Sequence, residues 1–454
     1  MRCGAGESGM APRAPRPRRR SVRDDSMAKK RNQVRRCVKK YIPYELHPDD
    51  FLQTMTKIFC YSRWFGVAGS GNLVWKIFGI LILLLLAIIE GVAIWRVIKA
   101  LAGWAVDIIG HRSVTARLAG TMFYASSIVT LILSWKLSSS WDELAAFWAS
   151  VDQTMAINVP PDKNLKNRMI SVTFIIMACV ILEHTMCMMS QIGFDCPASL
   201  ILKRYTLMSH GFLLLRTDYS IWFAIPLLFL SKVATILWNY QDTLIVTVSM
   251  GLTSRYYRLN NFVAKFSVAV KKDLSRNKQS NSLNSRNEYT WRKIREAYVK
   301  QAMLVRRVDA WLGGLILLSS LVNFYFICLQ LFLGITQGLS GSFIKRLYYL
   351  VSLVWLCVRV SCVVLAAADI NVQSKRALRY LYACDAHCYN IEVERLQNQL
   401  SKEYIALTGM GFFSLNRSIL LKMAGAVITY ELVLIQFDDN GTTAHIPSQS
   451  NATF

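Results

Sequence analysis

Histidine is rare in this chain, six residues in 454, and acids are outnumbered, 28 Asp and Glu against 53 Lys and Arg. Eleven cysteines are present, but no Cys-x-x-Cys spacing repeats and no histidine cluster accompanies them. That argues against a structural zinc site, and the thiols read as mostly reduced or lipid-facing. Cys187 and Cys196, near one predicted outer surface, could pair. No nucleophile–base or metal constellation with diagnostic spacing occurs, so neither an enzyme nor a cofactor is expected. The basic amino terminus is followed by no apolar stretch of the kind a secretory signal peptide needs.

What the chain has instead is apolar runs. Residues are 53% hydrophobic and mean hydropathy is +0.30. The runs reach roughly the 20 residues that span a hydrocarbon core, which makes this an all-α, polytopic membrane protein. A formal charge of +25 would suit nucleic acid. Basic residues flanking membrane spans explain it more simply, and no nucleic-acid partner is expected.

Residues 1–45 are rich in Arg, Pro and Ser, including Arg16-Pro17-Arg18-Arg19-Arg20, and read as a disordered cytosolic tail in which Met27 offers a second start. Asp24-Asp25 weigh against a transit peptide. Residues 47–66, with Phe51, Met55, Ile58 and Phe59, pattern as a short amphipathic helix entering the membrane surface. Seven spans follow, at about 78–97, 118–137, 169–190, 220–248, 311–335, 347–370 and 413–437. The connection after span two holds Trp141-Asp142-Glu143-Leu144, and 191–219 reads as a loop. Periodicity continues past span four towards Val270, breaks at the Ser- and Asn-rich stretch 275–287, and resumes before span five. Residues 373–407 are polar but periodic, with Leu396, Leu400 and Tyr404 on one face.

Outside the spans, Lys and Arg divide as roughly 39 on one side and roughly 8 on the other. This orients the amino terminus to the cytoplasm and the carboxy terminus outside. Residues 46–438 then form the membrane body, and 439–454 an outer tail with glycosylation sequons at Asn440 and Asn451.

The last span is unusual. Thr429-Tyr430-Glu431-Leu432-Val433-Leu434-Ile435-Gln436-Phe437 places a carboxylate and an amide where polar groups cost at least a few kcal/mol. Thr429 and Gln436 are two turns apart, with Leu432 and Val433 between them. The stripe suits a conduction path or a packed interface.

Thr429-Tyr430 and Gln436-Phe437, spaced this way in a seventh span with the amino terminus inside, resemble the signature of insect gustatory receptors. The full string is similar to the version in their sugar-sensing branch, as are Gly409–Ser414 and Ala366–Arg376. The resemblance covers about 45–438 and leaves out the basic first residues and the tail. It implies a ligand-gated cation channel, a homo- or hetero-tetramer around a pore built by span seven. It also implies an outward-opening pocket lined by spans three to six, and a cytosolic anchor made by the long helical extensions. The expected partners are a sugar, permeating cations, related subunits and membrane lipid, and the expected location is the plasma membrane of gustatory neurons.

A sugar needs carboxylates and amides for its hydroxyls and aromatic faces for its ring. In the outer halves of spans three to six the candidates are Glu183, His184, Asp218, Tyr219 and Trp222, with Gln330, Tyr348, Tyr349 and Trp355. Asp218 and Trp222, one turn apart, are the leading pair. Glu183 and His184 could instead pair with each other. In span seven Thr429, Val433 and Gln436 are expected to face the pore, Leu432 and Val433 to form an apolar constriction, and Phe437 to narrow its outer end. Asp438 and Asp439 would concentrate cations at the mouth. Tyr430 and Glu431 fall to an interface, Glu431 because it lies off the polar stripe.

Three other classes fit less well. A G-protein-coupled receptor needs its amino terminus outside, and no Asp-Arg-Tyr or Asn-Pro-x-x-Tyr run is present. A sugar transporter would show internal repeats and broken spans, and Pro226 alone is too little. Within the family, a receptor for another tastant or an obligate co-receptor remains open.

Overall fold

Hydrophobic runs this long satisfy their backbone polar groups internally, and the result is a helical bundle. The computed structural model describes residues 51–69, 73–104, 114–154, 159, 162–193, 196–214, 219–275, 281–336, 343–384 and 389–443. The helices are α1 Phe51–Ser62, α2 Leu73–Leu101, α3 Val114–Thr154, α4 Leu165–Ile192 and α5 Ile201–Ser209. They continue with α6 Ile221–Ser275, α7 Asn281–Thr336, α8 Phe343–Lys375, α9 Leu378–Tyr382, α10 Ile391–Lys402 and α11 Ser418–Thr443. Among the described residues no strand occurs beyond an isolated antiparallel bridge between Thr408 and Ser414.

Six of the described helices, α2, α3, α4, α6, α7 and α8, are long and apolar enough to cross a bilayer. Their outward faces confirm the solvent they need. Phe174, Ile181 and Leu182 of α4 and Leu84 and Ile88 of α2 are exposed, a surface that water would penalise and lipid accepts. The chain is a multi-pass membrane protein. α11 adds a further apolar helix of 26 residues, packed mainly on α7.

Helices α6 and α7 have 55 and 56 residues. At 1.5 Å per residue each is about 80 Å long, far more than a hydrocarbon core of roughly 30 Å. The surplus is not left bare. Tyr256, Leu259 and Val263 of α6 meet Trp291, Ile294, Tyr298 and Val305 of α7, and α10 adds Leu396 and Leu400. Tyr298 Oη donates to Asn260 Oδ1 at 2.6 Å, a buried bond that ties the two helices together. Asn390 caps α10 by accepting from the Glu392 and Val393 amides. Arg295 then donates to Glu392 at 2.7 Å and, with Arg395, holds that carboxyl below its usual range.

Several boundaries differ from the sequence expectation. The Trp141–Leu144 stretch continues α3, because Trp141, Leu144 and Trp148 share a face and are buried. That face takes up α1: Phe51 stacks on Trp148 at 4.3 Å and Phe59 lies 5.0 Å from Trp141. The amphipathic face of α1 thus goes to protein. The expected loop at 191–219 contains α5, and α7 begins at Asn281, inside the expected breaker. α11 begins at Ser418 instead of 413. The chain turns at Met410 and Gly411, both at positive φ, and Asp309 holds the turn through the Thr408 amide and hydroxyl at 2.6 and 2.8 Å. Cys187 and Cys196 are both free thiols, so the pairing that the sequence left open does not occur.

Candidate functional site

Adjacent residues of α4 divide two polar clusters between them. Glu183 turns to α8, where Ser352 Oγ donates to its Oε1 at 3.0 Å and the Tyr348 hydroxyl reaches the same carboxylate. Gln330 of α7 donates to Ser352 Oγ at 3.1 Å, and Tyr349 Oη donates to the Gln330 carbonyl at 3.0 Å. Gln330 Oε1 is buried with no partner within the chain. The close approach of Tyr349 depends on Gly334, where a Cβ would stand 1.9 Å from Tyr349 Oη. His184 turns the other way, to α6, and accepts from Lys232 Nζ. Lys232 also donates to Tyr205 Oη of α5 at 3.3 Å. Behind it His210, in the segment joining α5 to α6, lies 3.1 Å from Tyr124 Oη. Burial, and after it the charge of Lys232, push the His210 imidazole down to about 4.

Two turns along α8 from Ser352, an ion pair joins α8 to α6. Arg359 Nε is 3.1 Å from Asp242 Oδ2, with both side chains almost fully buried. Ser319 donates to Asp242, Arg359 donates to Asn239 and to Asn323, and the guanidinium lies 4.5 Å from the Trp238 ring centroid. A buried pair needs this many extra bonds to offset desolvation.

A family model described as trehalose receptor matches residues 72–445. The chain belongs to the trehalose-receptor family, the sugar branch of the insect gustatory receptors. The receptor is 30% identical over 338 residues to the gustatory receptor for sugar taste 64a of Drosophila melanogaster, covering 72% of this chain and 70% of that one. It is 31% identical over 350 residues to gustatory receptor 5a for trehalose of the same organism, covering 74% and 73%. In fold it is similar to the insect olfactory receptor OR5 of Machilis hrabei, with a TM-score of 0.60, 14% identity and coverage of 86% and 100%. These relatives are receptors, and this chain is a receptor and not an enzyme.

Of the residues expected to bind ligand, the receptor brings Glu183, Gln330, Tyr348 and Tyr349 into one cluster and His184 into its neighbour. Glu183 and His184 do not pair with each other. Trp222 is apart from both, 82% exposed in the first turn of α6. Tyr219 lies under Lys203, whose Nζ is 5.6 Å from the ring centroid, and Trp355 is half-buried one turn below Ser352. Asp218 lies outside the described residues. In α11, Thr429, Leu432, Val433 and Gln436 share an exposed face, where Thr429 Oγ1 donates to the Gly425 carbonyl at 2.9 Å. Glu431 points the other way, buried against α7 and α8 with neither carboxylate oxygen bonded, near Cys328 and Tyr349. Tyr430 is separated from it and partly exposed beside Tyr325. The side chains of Phe437, Asp438, Asp439 and Asn440, and all of Asn451, lie outside the described set.

A search of outer span halves for carboxylates, amides and aromatics misses Ser352, Lys232, Tyr205 and the Asp242–Arg359 pair. The available signal was charge: Lys232, Asp242 and Arg359 interrupt apolar runs, and ionisable residues at such positions mark function or pairing. For Ser352 and Tyr205 no sequence signal stands out.

Proposed function

We propose that the receptor is a subunit of a sugar-gated, poorly selective cation channel in the plasma membrane of gustatory neurons. Seven spans run from a cytosolic amino terminus to an outer carboxy terminus, and four copies surround a pore formed by α11. Each copy holds sugar in an outward-opening cleft among spans three to six. The observation that carries the reading is the cluster of Glu183, Gln330, Tyr348, Tyr349 and Ser352, which offers a carboxylate, an unpartnered amide oxygen and two tyrosines between three helices. Those groups suit vicinal hydroxyls and a sugar ring. The sugars named for the relatives support the same ligand class, and the exposed polar–apolar stripe of α11 supports its role as pore helix.

Expression of the full chain in oocytes, with a panel of sugars and current recording, tests this directly. Sugar-evoked cation current is expected. Silence towards every sugar at normal surface expression would reject a self-sufficient receptor, and uptake of labelled sugar without current would favour a transporter. Within that assay Asp218→Ala is expected to remove the response while leaving surface expression intact.

A further inference from the structure

Lys232 is a half-buried ammonium on α6 whose contacting neighbours carry no charge. It donates to His184 Nε2 and Tyr205 Oη, lies 3.6 Å from Met188 Sδ, and stands 4.9 Å from the Tyr205 ring centroid. A histidine accepting at Nε2 holds its proton on Nδ1 and is neutral. Among the described residues no carboxylate is within ion-pair distance of Lys232. The acids nearby are engaged elsewhere: Arg359 serves both Asp242 and Glu183, and Glu183 also receives Ser352 and Tyr348. Cys187 stands between the two sides, within electrostatic reach of Glu183 and of Lys232. Even partial desolvation of an ammonium is unfavourable without a contacting counter-charge.

A second observation has the same sign. In sequence, the stretch between α4 and α6 and the first turn of α8 carry Lys203, Arg204, Arg216, Lys345 and Arg346 against only Asp195 and Asp218. Lys203, Arg204, Lys345 and Arg346 are exposed. Cations there run against the usual bias of outer loops and raise the local concentration of anions.

We propose that the cleft takes an anionic sugar, a polyhydroxylated ligand bearing one oxyanion that contacts Lys232. The proposal rests on the reading of the chain as a sugar receptor. Lys232, Tyr205 and His184 address the oxyanion, while Glu183, next to His184 on α4, and Gln330 address hydroxyls.

The test compares glucose with sodium glucuronate and glucose phosphate at matched ionic strength on the full chain. Currents in oocytes are read beside the ligand-induced shift in thermal unfolding of the purified receptor. At least one anionic sugar is expected to act at a half-maximal concentration about tenfold or more below glucose, the gain of one charge-assisted contact. The carboxylate and phosphate arms tell which oxyanion fits. Lys232→Met should abolish the preference and Lys232→Arg should retain it, both at normal surface expression. Glucose matching or exceeding both anions overturns the proposal and leaves the channel reading intact. A preference that survives Lys232→Met overturns it as well. Anion binding without current sustains the ligand and rejects the channel, and absence of both binding and current rejects both.

Discussion

Arg359 and Asp242 meet on facing sides of α8 and α6, 3.1 Å apart and nearly inaccessible to solvent. The pair is tied to α7 through Asn323 and Ser319, so three spans share one charged junction. Removing one partner strands the other charge. Arg359→Met or Asp242→Leu should each cost about 3–5 kcal/mol, whereas the double variant should recover most of that loss. Thermal unfolding of the purified variants measures this. Equal destabilisation by the double variant would mean that packing, not charge, dominates.

Two turns along α8, the proposed hydroxyl-binding cluster makes a different demand. Glu183→Gln keeps the shape and the bond from Ser352 but loses the charge. The half-maximal sugar concentration should rise about tenfold, as for loss of one charge-assisted hydrogen bond. Surface expression should not change. A wild-type dose–response would remove Glu183 from the ligand site.

Gly334→Ala tests the same cluster through the backbone. The added methyl must displace Tyr349, since the two would be 1.9 Å apart, and this breaks the bond to the Gln330 carbonyl. Sugar responses should weaken in parallel with Tyr349→Phe. If Gly334→Ala responds normally, Tyr349 does not set the cleft.

The proposed pore mouth is tested by Asp438→Asn combined with Asp439→Asn. Fourfold repetition would place about eight carboxylates there, and neutralising them should lower cation current or relative calcium permeability. Unchanged permeation in reversal-potential measurements would make both acids solvated spectators.

Acid should weaken the packing of the α5–α6 segment through His210. Its folded value of about 4 lies below the ordinary value of 6.5, so the unfolded chain binds the proton first. Stability is complete above about pH 6.5 and declines as pH falls towards 4, by about 2 kcal/mol at pH 5. His210→Gln should flatten that part of the pH profile in thermal unfolding. A profile parallel to wild type would assign the acid sensitivity to other groups.

The sequence alone determined the helical membrane class, the order of the spans and the long helical extensions. Hydrophobic run length and helical period are local properties, and a bilayer enforces them along each segment separately. It also separated Glu431 from the Thr429–Gln436 stripe, because residues on one helix keep their angular relation wherever the helix packs. The family likeness came from the same local string, Thr429 to Phe437.

Tertiary structure decided who meets whom. Glu183 and His184 are neighbours in the chain, yet one turns to Ser352 on α8 and the other to Lys232 on α6, a choice made by where those helices pack. Trp141 and Trp148 read as a connection until α1 covers them, and the start of α11 moved to Ser418 because Asp309, a hundred residues earlier, holds the turn before it. The Asp242–Arg359 pair and the uncompensated ammonium of Lys232 join residues from separate spans. No local pattern encodes such pairings, since burial and partnering arise only when the helices assemble.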